Sequence, residues 1–592
     1  MSIPLTKRLI AAALGAVLAA QIHSTAAAEP KVLSQARAGQ FTSLDPAAQF
    51  EQTASDITGL VYGNLLSYSY LDRPYKLVPE LLAAMPEISA DKLQYTLTLR
   101  KAVVFHDNKC FEGGKGRELT TDDVLYSLKR YADANINHKS WFVMEGAVVG
   151  LDEFRAETQK SGKSPDHAKV EVAGLQKIDR YRFTIRLTHE NPLFLYALAI
   201  SSTAIVPMEA VRTYGDRFDV NPVGTGPFSL PGPAERKGVL RFVKNPKFYG
   251  VYPGGGAPGD RENGLLKAAG QKLPLVDVVE MPLIEEPQPE ALRFFNGELD
   301  WRVLDRANFT RMVVRSSDGT MRLGDEFAAK FNLYSTPGID FFYFAFNMKD
   351  PLLGQNKKLR QALGRLIDTT GYINVLLNGR GAKLQSLVPL ELRGNERETG
   401  ATYFGYDIAA AKRLLAEAGY PDGKGLPAIS MRFAGTNADV RDQADFMKAK
   451  FAAAGVQLKP DLTDGPTFVK NVEGSNFQMA SYSWLADYPD AEDFYQLLYS
   501  KNAAPGPGLS SFSNAAYDKA YEASRFMADG AERLRHFKVM NEIVKEEVPL
   551  VISRNSVRFG LTQKWLSNFK RNLLTSELPY LDIDMARKKK GL

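Results

Sequence analysis

Two stretches of apolar and polar alternation, separated by a helical segment, limit how this chain can fold. Leu93 to Leu99 and Tyr181 to Leu187 place an apolar side chain at every second position, which is the pattern of a half-buried strand. Between them, Thr120 and Asp123 have the spacing of a capping box that opens a helix. Strands and helices interspersed in this way predict an α/β fold of three-layer lobes rather than a barrel or a sandwich.

The same mixture continues through the second half of the chain. The aromatic run that starts at Phe341 is typical of a buried strand, and Asp407 is placed to cap a helix that ends at Gly419. At 592 residues the chain is too long for a single hydrophobic core, so two or three domains are expected.

The N-terminus has the features of an export signal. Lys7 and Arg8 precede the apolar run Leu9 to Ala20, which is too short to span a membrane. Ala26 and Ala28 then form an A-x-A arrangement, so residues 1–28 are predicted to be a secretory signal peptide cleaved after Ala28. No cysteine lies near the predicted cleavage position, which excludes a lipid anchor there. We therefore expect a periplasmic protein that is not a lipoprotein.

Composition excludes several classes of function. The net charge is +6, and four of the positive residues are clustered at the C-terminus from Arg587 to Lys590. The body is therefore close to neutral, which argues against nucleic-acid binding because that requires a basic face. The basic end is expected to be a solvated tail. The single cysteine, Cys110, cannot form an internal disulfide, so stability must come from core burial.

The sequence contains little that is typical of a catalytic or a metal-binding site. His106, Asp107 and Cys110 are the one local set that resembles metal ligands, but no second pair accompanies them. A turn at the end of a strand is the favoured interpretation of that set. There is no GxSxG or HExxH motif. The sequence therefore predicts no cofactor, no metal and no enzymatic activity.

The stretch SYSWLADYPDAEDFY, from Ser481 to Tyr495, is rich in acidic and aromatic residues, and the role of its carboxylates is the main question that the sequence raises. Pro489 sets a turn, and the acidic residues after it lie where a helix begins, which stabilises the positive end of the helix dipole. Asp487 precedes the turn, close to Trp484, and a half-buried carboxylate there needs a positive partner. Nothing local supplies one. An acid and base pair formed by Asp487 and Asp490, as in a secreted hydrolase, is the enzymatic alternative.

Six motifs, in the same order, resemble those of the ABC-transporter solute-binding proteins that take up peptides, the bacterial extracellular solute-binding protein family 5. The resemblance runs over essentially the whole mature chain. An enlarged loop around Gly113 to Arg117 departs from the family pattern. The segments that carry the resemblance are SLDPA (43–47), VFHDNKC to SLKR (104–130), VGTGPF (223–228), NPKFYG (245–250), FAFNMKD to LID (344–368) and YDIAAAKRLLAEAGYPDG (406–423).

The resemblance implies a two-lobed periplasmic binding protein fold, of the hinged type II, with an additional α/β domain on the first lobe. It places the first lobe in residues 29–60, 204–340 and 549–592. The additional domain would span residues 61–203, and the second lobe residues 341–548. A ligand would be enclosed where the two lobes close, and the protein is expected to act as a monomer.

The resemblance also implies which residues bind the ligand. Asp487 corresponds to the aspartate that pairs with the α-ammonium of a peptide. The segment before it, Tyr482, Ser483 and Trp484, corresponds to the residues that lend main-chain groups to the peptide backbone. Ser483 replaces a glycine of the family pattern. Dipeptide-binding members hold the ligand carboxylate with a basic residue in a loop that here has none inside it, and Arg432 and Arg441 flank that loop.

The function implied is that of a periplasmic receptor that captures oligopeptides or dipeptides and delivers them to ABC permease subunits in the inner membrane. The alternative is the same fold with a non-peptide solute, such as a sugar conjugate, an opine, or a nickel or haem complex, because the family includes binders of these ligands. The sequence leaves this alternative open.

Overall fold

The computed structural model describes residues 29–49, 51–136, 140–504 and 506–591. The predicted signal peptide, residues 1–28, lies outside the described residues. Among the helices that are described, none combines the length and the apolar character needed to cross a membrane.

The largest sheet has eight strands and contains the long strand Leu550–Gln563 near its middle. Two four-stranded sheets and three two-stranded ladders complete the strands of the described chain. The path through the large sheet runs Trp301–Val303, Leu550–Gln563, Asp340–Phe346, Met479–Leu485, Ile429–Ala434 and Leu458–Thr463, and Phe331–Pro337 and Gly381–Lys383 also pair with the long strand. The four-stranded sheets are Val32–Ser34, Val278–Met281, Leu240–Lys244 and Phe228–Ser229, and Glu87–Ile88, Gln94–Thr98, Arg182–Arg186 and Leu175–Lys177. The ladders pair Leu66–Tyr68 with Leu77–Pro79, Val313–Arg315 with Met321–Leu323, and Leu566–Ser567 with Asp582–Ile583.

Helices alternate with these strands, as the sequence pattern predicts. Thr120 and Asp123 form the predicted capping box, and the side chain of Asp407 accepts the backbone N–H of Ala410. The helices are Gln52–Val61, Thr121–Ala132, Leu151–Ser161, Phe194–Ala197, Met208–Tyr214, Pro287–Phe295, Arg306–Met312, Asp325–Ala328, Lys357–Gly364, Thr369–Val375, Glu396–Thr399, Ile408–Glu417, Ala438–Ala452, Gly465–Glu473, Glu492–Tyr495, Ala515–Ser524, Ala531–Glu547 and Met585–Lys590.

The long strand links two halves of the molecule. Its first residues pair with Phe342 to Ala345, and its last residues pair with Phe331–Pro337. At the crossing point, Gly338 donates its backbone N–H to Ser556 at 2.7 Å, and the backbone N–H of Ser556 donates to Asp340 Oδ1 at 2.6 Å. Two neighbouring strands therefore connect the halves at one place, which is the arrangement of a hinge.

Two large hydrophobic cores lie on either side of this crossing. One gathers buried side chains from Leu33 to Phe242 together with Trp301 and C-terminal residues as far as Ile583. The other gathers side chains from Ile339 to Ile552. The α/β fold with two lobes is thus confirmed. The exact lobe boundaries stay a prediction, and the segment predicted as an additional domain shares its core with the first lobe.

Local sequence patterns match the observed elements. The alternating stretches form the strands Gln94–Thr98 and Arg182–Arg186, which pair antiparallel. The aromatic run from Phe341 lies in the buried strand Asp340–Phe346. One pair of segments is joined in space: Arg130, from the SLKR motif, donates to both carboxylate oxygens of Asp45, from the SLDPA motif, at 2.7 and 2.5 Å.

The residues considered as metal ligands have other partners. His106 Nε2 lies 3.0 Å from the carbonyl oxygen of Gly226, and burial lowers the pKa of His106 to about 4. Asp107 forms ion pairs with Lys115 and Lys247 at 3.1 and 2.8 Å. Burial raises the pKa of the Cys110 thiol to about 11. His106 and Asp107 therefore already have partners within the fold, and the Cys110 thiol is in its neutral form.

Candidate functional site

A cavity of about 350 Å³ lies between the two cores, close to the crossing strands. One wall is formed by the second core, at the end of the strand Met479–Leu485, where Leu485, Ala486 and Asp487 line the space. The facing walls come from the helix Gln52–Val61 and from residues 571–578. Clefts of this size between two lobes are the usual location of a small-molecule site. We refer to this space as the cleft.

The strand that ends at Asp487 has one open edge. All seven residues of Met479–Leu485 pair antiparallel with Asp340–Phe346. On its other side, the parallel strand Ile429–Ala434 pairs with Met479 and Ala480 and with no later residue of the strand. Within the described chain, the strand edge from Ser481 to Leu485 thus has no strand neighbour.

The register shows which peptide groups face this open edge. The backbone N–H of Ala486 donates to Ile339 at 3.0 Å, and that of Asn347 donates to Gln478 at 3.0 Å. Along an antiparallel pair of strands, hydrogen-bonded residue pairs alternate with non-bonded pairs. Tyr482 and Trp484 therefore belong to hydrogen-bonded pairs, and their backbone N–H and C=O groups point toward the neighbouring strand. Ser483 and Leu485 belong to the non-bonded pairs, so their backbone N–H and C=O groups face the open edge.

The side chain of Asp487 has no ion-pair partner among the described residues. Its carboxylate is exposed to water within the cleft, although nearby protein atoms reduce its solvation. The loss of solvation raises its pKa to about 6. A carboxylate in this environment is stabilised by any cation that enters the cleft, since the protein itself supplies none beside it.

Asp493 lies directly behind Asp487 and fixes the loop. One oxygen of Asp493 accepts the indole N–H of Trp484 at 3.0 Å and the backbone N–H of Asp487 at 3.1 Å. Asp493 is completely buried, and this burial together with the negative charge of Asp487 raises its pKa well above the usual range. The burial of Asp493 and the negative charge of Asp487 therefore both disfavour a second charge on the pair.

The other acidic residues of the stretch hold the loop in place. Asp490 accepts the backbone N–H of Glu492 at 2.8 Å, as expected for a helix start, and it also accepts two bonds from the buried Arg533 at 2.6 and 2.8 Å. Glu492 accepts the hydroxyl groups of Tyr488 and Tyr521. These carboxylates are each occupied, and Asp487 alone of the four is left with an unpaired side chain in the part of the chain that the structure describes.

The predicted aromatic residues pack away from the open edge. The ring of Tyr482 stacks on Phe468 with centroids 5.7 Å apart, and Trp484 points toward Asp493. Ser483 lies on the opposite face of the strand and is exposed. The backbone of Ser483 therefore lies at the open edge and Asp487 lies in the wall of the cleft, while Tyr482 and Trp484 pack on the other face of the strand.

The two predicted arginines lie elsewhere. Arg432 forms an ion pair with Asp461 at 2.6 Å and donates to the carbonyl of Asn476 at 2.8 Å. Arg441 is exposed on the helix Ala438–Ala452. Neither residue is among those that line the cleft. A role in holding a ligand carboxylate stays a prediction, and it requires one of these side chains to move.

The structure adds charged residues that the sequence did not reveal. The cleft is also lined by Asp56, Glu80, Arg571 and Glu577. Arg571 donates to the buried Glu577, and burial raises the pKa of Asp56 and raises that of Glu80 to about 8. These residues come from distant segments and carry no local motif, so no sequence signal could have grouped them.

The chain is similar to known proteins over most of its length. The family model described as bacterial extracellular solute-binding proteins, family 5 Middle, matches residues 76–506. The chain belongs to this family. The dipeptide-binding protein of Escherichia coli (strain K12) is 25% identical over 501 residues, which cover 82% of this chain and 83% of that protein. Heme-binding protein A of Haemophilus influenzae is 24% identical over 486 residues, 81% of this chain and 79% of that protein.

The fold is shared with solved structures of family 5. The ABC transporter-associated periplasmic binding protein DppA from Helicobacter pylori, solved in complex with the peptide STSA, superposes with a TM-score of 0.67 at 21% identity. The match covers 93% of this chain and 98% of that one. The two-lobed periplasmic binding protein fold predicted from the sequence is confirmed. Members of family 5 are periplasmic binding proteins of ABC transporters and not enzymes.

Proposed function

We propose that this protein is the substrate-binding component of an ABC importer and captures oligopeptides in the cleft by their free amino end. The observation that carries the proposal is the unpaired carboxylate of Asp487 at the end of an open strand edge. A peptide offers the matching groups, because it has an ammonium at one end and backbone N–H and C=O groups beside it.

The first interaction is electrostatic. An α-ammonium that enters the cleft supplies the cation that Asp487 lacks, and a charge-assisted hydrogen bond is strong where water is largely excluded. Asp487 is the member of the pair that faces the cleft, whereas Asp493 is buried behind it. The loop presents Asp487 in a fixed position, since the backbone N–H of Asp487 is bonded to Asp493.

The second interaction is backbone pairing. Ser483 and Leu485 direct their peptide groups toward the open edge, so a peptide in extended form adds a strand there. Main-chain pairing does not depend on the side chains of the ligand. The receptor is therefore expected to accept many sequences, with closure of the two lobes about the crossing strands enclosing the bound peptide.

The test is the mass of whatever the freshly purified protein retains, followed by binding of a defined peptide. Native mass spectrometry should show bound peptides, and isothermal titration should show binding of tri-alanine but not of its N-acetylated form. Asp487→Asn should weaken tri-alanine binding by about 2–5 kcal/mol, the range for one partner of an enclosed charge pair. Asp56→Asn, another carboxylate of the cleft, is the matched control and should cost much less.

A non-peptide solute is the second candidate, because relatives of similar identity are named for different ligands. Heme-binding protein A of Haemophilus influenzae is one of these. A ligand without an amine would bind equally well to the wild type and to Asp487→Asn. Retention of such a compound in native mass spectrometry, with no shift of the melting temperature by a peptide library, would favour this candidate over peptides.

A further inference from the structure

A second cavity, of about 260 Å³, lies beside the cleft and shares part of its wall. We call it the side chamber. Its inner end is lined by Gly59 of the helix Gln52–Val61 and by Glu80, both of which also line the cleft. The residues common to both cavities are Gly59, Ser67, Tyr68, Glu80, Thr575 and Ser576. The two spaces are therefore neighbours along a continuous wall.

The walls of the side chamber are rich in aromatic rings. Tyr70 and Tyr580 stack with centroids 4.2 Å apart and planes inclined by 9°, and Phe248 contacts Tyr249 with centroids 4.8 Å apart. Tyr68, at the border with the cleft, adds a further ring. Aromatic faces and edges of this kind favour another ring in a stacked or edge-to-face position.

The wall of the chamber also contains polar residues. The guanidinium of Arg100 lies over the Tyr249 ring at 5.7 Å and donates to the backbone carbonyl of Glu80 at 2.7 Å. Because burial raises the pKa of Glu80 to about 8, its side chain is a neutral donor and acceptor at neutral pH.

We propose that the side chamber is a specificity pocket that receives one aromatic side chain of the bound peptide, a ring with a polar edge such as tyrosine. The inference rests on the peptide-binding function proposed above. Small side chains leave the chamber to water, whereas an aromatic one replaces that water with ring contacts. The receptor then accepts many peptides through their backbone and prefers those with an aromatic residue at one position.

Gly59 offers a direct way to close the chamber. It lies at the border of the two cavities, and a Cβ built on it would meet no atom within 4 Å. A larger side chain is therefore tolerated by the fold, and replacing a glycine inside a helix favours the helical state. Gly59→Leu should obstruct the passage from the cleft, and Gly59→Ala is the matched control because its methyl group is too small to do so.

The experiment measures dissociation constants for tetra-alanine and for four variants of it, each with tyrosine at a different position. In the wild type, one position should bind at least about tenfold more tightly than tetra-alanine, consistent with contacts between aromatic rings plus a hydrogen bond. Gly59→Leu should remove that gain, judged against its own binding of tetra-alanine, whereas Gly59→Ala should retain most of the gain.

The outcomes separate this proposal from the function on which it rests. If tetra-alanine binds and Asp487→Asn weakens it, but no position gains from tyrosine, the peptide function stands and the specificity pocket is wrong. A gain that survives Gly59→Leu, while Gly59→Leu still binds tetra-alanine, also contradicts the pocket. If no peptide binds the wild type, the peptide function itself fails, and the pocket fails with it.

Discussion

The ring of Tyr196 stacks on the ring of Tyr488, with centroids 5.7 Å apart and planes inclined by 13°. Tyr196 lies in the helix Phe194–Ala197, which packs into the first core, and Tyr488 directly follows Asp487. The stack therefore joins the two halves of the molecule beside the proposed ammonium clamp. A hinge motion that separates the two lobes would break this contact.

Removing this stack should weaken ligand binding without touching the ligand. Aromatic pairs contribute about 0.5–1.5 kcal/mol, so Tyr196→Ala should raise the dissociation constant of a peptide about 2- to 10-fold. Isothermal titration gives the constant, and small-angle scattering reports whether the unliganded protein becomes more open. Tyr196→Phe keeps the ring and should resemble the wild type. An unchanged constant in Tyr196→Ala would show that the stack does not stabilise closure.

Affinity for peptide amines should depend on pH in a defined direction. Burial raises the pKa of Asp487 to about 6 in the empty cleft. Above that value Asp487 is ionised and binds the ammonium; as the pH falls below it, protons compete with the ligand. The dissociation constant should therefore be flat above about pH 7 and rise up to tenfold for each pH unit below 6. Titrations between pH 4.5 and 8 measure this, and Asp487→Asn should lose the dependence.

The buried pair of Arg533 and Asp490 should be essential for the stability of the second lobe. Both side chains are almost fully buried and are joined by two hydrogen bonds, at 2.6 and 2.8 Å. Arg533→Leu leaves Asp490 buried without a partner, which typically costs 3–5 kcal/mol. Urea unfolding followed by tryptophan fluorescence measures the loss. Arg393→Leu breaks an exposed pair with Glu398 in the same region and should change stability far less.

The fold could be predicted in large part because its signals are local. Period-two alternation gave the strands Gln94–Thr98 and Arg182–Arg186, and cap residues such as Asp407 gave the helix starts. These patterns depend on neighbours within a few positions. The partners that join the segments are far apart along the chain, as with Asp45 and Arg130, and so they became visible only in the structure.

The candidate site likewise contains residues that the sequence could reveal and residues that it could not. Asp487 could be singled out because its own neighbourhood offers no cation and because the surrounding motif resembles that of a family. The pairing of Asp490 with Arg533 could not, and neither could the presence of Glu80 and Arg571 in the cleft, since folding brings these residues together from separate segments. The resemblance named Ser483 among the residues that lend main-chain groups to a ligand, without showing which of its groups face the open edge.

A last prediction follows from the charges of the cleft and concerns the carboxyl end of a peptide ligand. Arg571 is the cation that lines the cleft, within the described residues, and its guanidinium already donates to Glu577. Asp56 lies on the same wall and offers a further carboxyl group rather than a cation. A free ligand carboxylate therefore finds no unpaired cation here. A peptide amide should bind as tightly as the corresponding acid, or up to about tenfold more tightly, because amidation removes a repelled charge.

Isothermal titration of one tripeptide in its acid and amide forms, at low and high ionic strength, measures this difference. The advantage of the amide should shrink as salt screens the acidic wall. The opposite result, an acid that binds at least tenfold more tightly, would mean that a basic side chain reaches the ligand. Arg432→Gln and Arg571→Gln then identify it, because loss of the preference for the acid in only one of them names the cation that holds the carboxylate.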